Sequence, residues 1–255
     1  QGNNEPCVIE SNVNMASVTF TGTVTNYNLH LGGIAARLCA SNNEVIVRNC
    51  ANYGSLTHSG KAGGTYIGGI AGNSGWYSPK YIQNCLNYGT VTHNGTSSSL
   101  YIGGIIGYAS SGTNAIENCM SGGKIVPNKQ NKCYVGSIVG YIYSGPLTIT
   151  HCYWSSDDGY NKACGSGSPT IKESTDFSDT TFELNKIISI GSYTGTSLLD
   201  ALNAAADRYY SLRDYSHWLL NKDTKVVSFT INNRAKPLVL SSQLILLPSL
   251  ASEGK

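Results

Sequence analysis

Four cysteines, Cys50, Cys85, Cys119 and Cys152, recur at separations of 35, 34 and 33 residues. A thiol can act as a nucleophile, a soft metal ligand, half of a disulfide or a small buried hydrophobe. Spacing separates these uses. Zinc sites draw on closely paired ligands, and the chain has no Cys-x-x-Cys pair. Cysteines at equivalent positions of a stacked repeat hold their Cβ vectors parallel, which suits disulfide torsion badly. One cysteine per repeat therefore reads as a ladder of buried thiols. Cys7, Cys39, Cys133 and Cys164 fall outside that register and are the disulfide candidates, with Cys7–Cys39 first and Cys133–Cys164 or Cys152–Cys164 second.

The other reactive side chains are scattered. His58 and His93 occupy matching positions of two repeats but have no acidic neighbour in sequence to make an acid–base pair, so they are expected to stack at the surface. Glu44, Arg48, Glu117 and Lys124 form no cluster, and no Ser nucleophile elbow or phosphate-cradling glycine loop is present. Asp157-Asp158 lacks the oxygen ligands that would complete a calcium loop. The sequence thus predicts no catalytic, cofactor or metal site. Asn49, Asn84 and Asn118, each just before a ladder cysteine, suit an asparagine ladder of rung-to-rung amide bonds. Asn52 and Asn87 precede Tyr-Gly and read as turn residues. Tyr66, Tyr101 and Tyr134 recur in register and form a candidate contact face, for sugars or for another solenoid.

The elements that must carry these residues are repeats. Tyr66-Ile67-Gly68-Gly69-Ile70-Ala71-Gly72 precedes Tyr81-Ile82-Gln83-Asn84-Cys85-Leu86-Asn87-Tyr88-Gly89, with related copies beginning at Leu31, Tyr101 and, more divergent, Tyr134. Each copy holds three β-type runs bounded by Gly, Asn and Ser turns, and helical periodicity is absent from 18–156. This predicts an all-β chain: a right-handed parallel β-helix of about four rungs, with a small α+β C-terminal region. Rungs in such a fold pair at roughly 4.8 Å, so equivalent residues stack.

Composition sets outer bounds. Charged residues are 13 % of the chain, and 17 basic against 15 acidic residues give a net charge of +2. No Lys/Arg cluster could follow a phosphate backbone, so nucleic acid is not an expected partner. No apolar run is long enough to span a bilayer. The chain starts at Gln1 without a leader, as a secreted protein does after processing, and Asn94-Gly95-Thr96 is a glycosylation acceptor, both pointing to a secreted or cell-surface location.

The Gly-Gly-Ile-x-Gly box followed by Asn-Cys-x-Asn-Tyr-Gly resembles the GLUG-type repeats of microbial surface proteins over residues 18–156. That resemblance implies an extracellular β-solenoid with a structural or adhesive role. The fourth copy departs from it, with Ser137 for the second glycine and His151 for the asparagine. A second stretch, Val226-Val227-Ser228-Phe229-Thr230-Ile231-Asn232-Asn233 through Leu246-Leu247-Pro248, resembles the opening half of an internalin B-repeat-like β-grasp module. Its expected continuation does not follow before Lys255, which implies an incomplete sheet.

The expected organisation is therefore an N-terminal cap (1–17), the solenoid (18–156), a linker and packing segment (157–196), a helical cap (197–220) and a β-strand tail (221–255). Ser197 is the expected helix cap with Asp200 completing a capping box, and Leu199, Leu202, Ala206 and Tyr209 share one face. With Trp218, that face is expected to cover the open last rung. The apolar tail strands call for partners, within the chain or in a neighbouring molecule. Function is expected to be self-association, as in a filament protomer, or surface attachment, with carbohydrate binding or carbohydrate chemistry as the alternative.

Overall fold

The computed structural model describes residues 5–40, 42–128, 132–155, 160–177, 187–188, 196–213, 215–221 and 227–229. Its body is a parallel β-solenoid. The first coil comprises β1 (Cys7–Glu10), β2 (Val13–Asn14), β3 (Val18–Phe20), β4 (Thr23–Gly32) and β5 (Ala35–Arg37). The second holds β6 (Val45–Arg48), β7 (Ala51–Asn52), β8 (Leu56–His58), β9 (Lys61–Gly68) and β10 (Ala71–Asn73). The third holds β11 (Lys80–Gln83), β12 (Leu86–Asn87), β13 (Val91–His93), β14 (Thr96–Gly103) and β15 (Ile106–Ala109). The fourth holds β16 (Thr113–Glu117), β17 (Met120–Ser121), β18 (Ile125–Pro127), β19 (Cys133–Gly136) and β20 (Val139–Ile142). Beyond it lie β21 (Thr148–Thr150), β22 (Tyr153–Ser155), β23 (Cys164–Ser166), β24 (Thr170–Lys172) and β25 (Thr175–Phe177).

Equivalent strands stack into five parallel sheets. Sheet I runs β1-β6-β11-β16-β21-β24, and sheet II runs β2-β7-β12-β17-β22-β25. Sheets III and IV have one strand from each of the first four coils, and sheet V ends with β23. Each coil thus has five short strands where the sequence suggested three. The stack is also longer than its repeat signature: the segment expected as an N-terminal cap supplies β1 and β2, and part of the expected linker supplies β23 to β25. These flanking strands keep the alternation of a coil without the glycine and asparagine boxes, so they pair without looking like repeats.

The glycine box makes a re-entrant corner between sheets IV and V. A Cβ on Gly68 would overlap the Ala71 carbonyl oxygen, and one on Gly69 would overlap the Asn87 side chain. Only glycine admits so close an approach. Gly33 meets Asn52 and Gly104 meets Ser121 in the same way. The corner splits the interior into two lobes. One is built on Val47, Ile82, Ile116, Ile149 and the cysteine ladder; the other on Leu56, Ile67, Val91 and Ile102. Asn52 and Asn87 are therefore not turn residues but a fully buried column beneath the corner, where Asn14 donates to Asn52 Oδ1 and Asn52 to Asn87 Oδ1, both at 2.8 Å.

The helix is α1 (Leu198–Arg213), following the short antiparallel pair β26 (Ile187–Ile188) and β27 (Thr196–Ser197). The expected Ser197 cap forms, though the return bond is between side chains: the Asp200 amide donates to Ser197 Oγ at 3.1 Å, and Ser197 Oγ donates to Asp200 Oδ2 at 2.6 Å. The position of the helix differs from expectation. Leu198, Ala201 and Leu202 pack with Trp218 and Phe229 on Ala51, Leu86, Met120 and Tyr153, one residue from each of four successive strands of sheet II. The helix clasps the side of the stack and does not close its end. Part of the apolar tail completes this clasp, because β28 (Trp218–Leu220) pairs antiparallel with β29 (Val227–Phe229). Residues 230–255, including the apolar run from 237 and most of the β-grasp-like stretch, and the side chain of Tyr209 lie outside the described residues.

Candidate functional site

The cysteine ladder is interior. Cys50, Cys85, Cys119 and Cys152 are fully buried, and each thiol donates to the carbonyl two residues earlier, at 3.1 to 3.4 Å. Burial raises the Cys119 thiol well above its usual value, and all four thiols are sealed from solvent. All eight cysteines are free thiols, which overturns the expected bridges in this structure. Cys7 lies on sheet I while Cys39 follows the strand of sheet V. Cys133 packs into one core lobe and Cys164 against the other, where its thiol donates to Ser166 O at 3.0 Å. Among the described residues no group of three or more His, Cys, Asp and Glu side chains is placed to hold a metal ion, and no helix is long and apolar enough to cross a membrane.

His58 and His93 are not at the surface. Strand parity puts them on the same inward face as Leu56 and Val91, and both are fully buried, 4.8 Å apart edge to face. His58 Nδ1 meets Thr65 Oγ1 at 3.2 Å and His93 Nε2 meets Ser97 Oγ at 3.0 Å. Burial lowers both, His93 to about 4. They are neutral core residues at neutral pH, without the solvent access that proton transfer to a substrate requires.

Asn49, Asn84 and Asn118 turn the corner from sheet I to sheet II in the left-handed region, at φ of 54°, 52° and 50°. Asparagine tolerates that conformation better than most side chains. Amide bonds link the column, Asn84 to Asn49 at 2.8 Å and Asn118 to Asn84 at 2.7 Å. The clasp reads the same amides: Asn84 donates to Ser216 O, Asn118 to Leu202 O, and Trp218 Nε1 donates to Asn84 Oδ1. Tyr215 adds a hydroxyl bond to buried Glu117 at 2.9 Å. In the fourth copy His151 takes the corner at φ 50° and pairs with Glu173 at 2.5 Å. The asparagine ladder is thus also a docking strip for residues that repeat analysis could not link to it.

Tyr66, Tyr101 and Tyr134 do form a ladder on the outer face of sheet IV, with centroids 4.9 and 5.4 Å apart and planes within 17°. His30 extends it below Tyr66 at 4.8 Å. Across the re-entrant corner, Tyr108 and Tyr141 of sheet V stack on each other and meet the first ladder edge to face at 5.1 to 5.3 Å, with Tyr141 tilted against Tyr134 at 4.9 Å. Both follow the last glycine of a box, so the second ladder has a repeat signal of its own in the sequence. Since the rings cover one another's faces, the ladder offers a ligand mostly edges and hydroxyls, and it seals the corner. The more open aromatics lie beside it: Tyr143, 53 % exposed and edge to face with Trp76, and Tyr77, 88 % exposed at φ 76°. Tyr53 and Tyr88 stack separately, against the clasp. Asn94 is exposed on the loop between β13 and β14, accessible to a glycosyltransferase.

Among the described residues the stack ends are also uncovered. Each of β1 to β5 has a single neighbour, as have β24 and β25 at the other end. Val8, Met15 and Val18 at the N-terminal end and Ile171 at the C-terminal end are exposed. A scan of protein-family models and searches of curated proteins and of solved structures each find no match for the chain.

Proposed function

We propose that the chain is a secreted or cell-surface structural module that works by self-association, as a filament or matrix protomer, with no chemistry of its own. The observation that carries this reading is the pair of stack ends left open among the described residues, since unpaired parallel edges backed by exposed interior residues are templates for further strands. The resemblance of the repeats to the GLUG type and the exposed Asn94 acceptor agree with it. Sedimentation velocity of the full chain over a hundredfold concentration range is the test: oligomers growing with concentration support the reading, and a single monomeric boundary throughout rejects it. Expression in a glycosylating host, where Asn94→Gln should abolish a glycosidase-sensitive mass shift, tests the location.

A second reading, glycan attachment, is favoured by the open aromatic group of Trp76, Tyr77 and Tyr143, where planar apolar surface lies beside polar loops. Loss of glycan-array binding in Tyr77→Ala would support it.

A further inference from the structure

The column of sheet I that faces inward runs Ile9, Val47, Ile82, Ile116, Ile149 and Ile171. Its four middle members are fully buried, whereas Ile171 is 47 % exposed, with no further coil over it among the described residues. At the other end, β1 leaves Ile9 half-buried, and Val18 of β3, in register with buried Leu56, is 39 % exposed. The described stack therefore ends, on both sides, in core side chains without a next rung.

The adjacent column is Glu10, Arg48, Gln83, Glu117, Thr150 and Lys172. Its polar neighbours are complementary: Glu10 and Arg48 form an ion pair at 2.6 Å, and Gln83 donates to Glu117 Oε2 at 2.8 Å. One end of the column is acidic and the other basic. Most charges nearby follow the same sense, with Glu5 beside β1, and Lys124, Lys132 and Lys162 close to β18, β19 and β23, whereas Arg37 on β5 and Glu173, paired with His151, run against it.

Resting on the self-association reading, we propose that the partner is a second copy of this chain docked head to tail. Strands β24 and β25 of one copy pair in parallel with β1 and β2 of the next, setting Lys172 against Glu10 and Ile171 against Ile9. Head-to-head docking would instead bring the acidic ends together. A head-to-tail contact uses different surfaces on the two copies, so it does not close on itself and adds protomers along the axis.

Charge reversal tests this on the full chain by sedimentation velocity at low salt, with circular dichroism confirming that each variant is folded. Lys172→Glu alone and Glu10→Lys alone should each weaken association by at least about tenfold. Mixed in equal amounts, they should associate as the wild type does, because every contact between unlike variants pairs an acidic end with a basic end. Association of Lys172→Glu at wild-type strength, or failure of the mixture to recover, overturns the head-to-tail interface while leaving self-association standing. A monomeric wild type rejects both.

Discussion

The side of the stack at sheet II and the ends of the stack pose the same physical problem and meet different fates. Along sheet II, Ala51, Leu86, Met120 and Tyr153 face outward beside a strip of corner asparagines, an apolar and polar surface that repeats from coil to coil. A non-repeating segment of the same chain covers it, fitting Leu202 O, Ser216 and Trp218 to those amides. The ends expose apolar and hydrogen-bonding groups of another origin, interior side chains and unpaired strand edges, and no described segment covers them. A repeat can thus be completed in two ways: by a clasp that differs from the repeat, or by another repeat. The first fixes a monomer, whereas the second leaves association open.

The clasp should break first and hardest. Trp218→Ala removes a fully buried ring from the hydrophobic seam and the bond to Asn84 Oδ1, and should cost about 3–5 kcal/mol of unfolding free energy in urea titration. If the ends associate independently of the clasp, concentration-dependent sedimentation should persist in this variant wherever it remains folded.

Acid should act on the stack from within. Burial lowers His58 and His93, the latter to about 4 from a usual 6.5, and also lowers His30 to about 4 with help from Arg37. The unfolded chain takes up protons that the folded chain refuses, so this stability is fully present above about pH 6.5 and is lost as pH falls toward 4. Protonation at His93 alone should withdraw about 2–3 kcal/mol. Urea midpoints measured at intervals between pH 7.5 and 4.5 should fall monotonically, and His93→Leu should flatten the curve.

Asn84 links the two modes of completion, since it bonds to rungs above and below and to the clasp. Asn84→Ala loses these bonds and places alanine in the left-handed region. It should cost about 1–3 kcal/mol by thermal or urea unfolding. Asn84→Gly, which relieves the backbone but not the bonds, should recover only part of that loss.

The smallest effect on folding is expected at the ends. Ile171→Asp alters an exposed residue and should change the urea midpoint by no more than about 0.5 kcal/mol equivalent. The same substitution should sharply reduce association, which would separate the ends from the clasp as functional surface.

Much of the stack was legible in the sequence because a solenoid puts equivalent residues in contact. Recurring Cys50, Cys85, Cys119 and Cys152 could only be a column, and the Ser197 cap is local by nature. The histidines were legible too, had parity been applied: His58 lies two residues after Leu56 and must share its inward face. The re-entrant corner was not legible, because the need for Gly69 comes from Asn87, a residue of the next coil. Nor was the clasp, since Trp218 meets Asn84 through contacts that no periodicity encodes. The flanking strands β1, β24 and β25 were missed because they pair by backbone while lacking the repeat's side-chain signature.

The central claim is that the open ends, and not the clasped flank, join one molecule to the next. Electron microscopy of undenatured wild-type protein tests it most directly. Six strands of sheet I at the usual rung spacing give an axial length of about 29 Å per copy. Rods of constant width that lengthen with concentration in steps of about that size are the predicted result. Single particles of one size at every concentration, or assemblies joined side by side through sheet II, would contradict it.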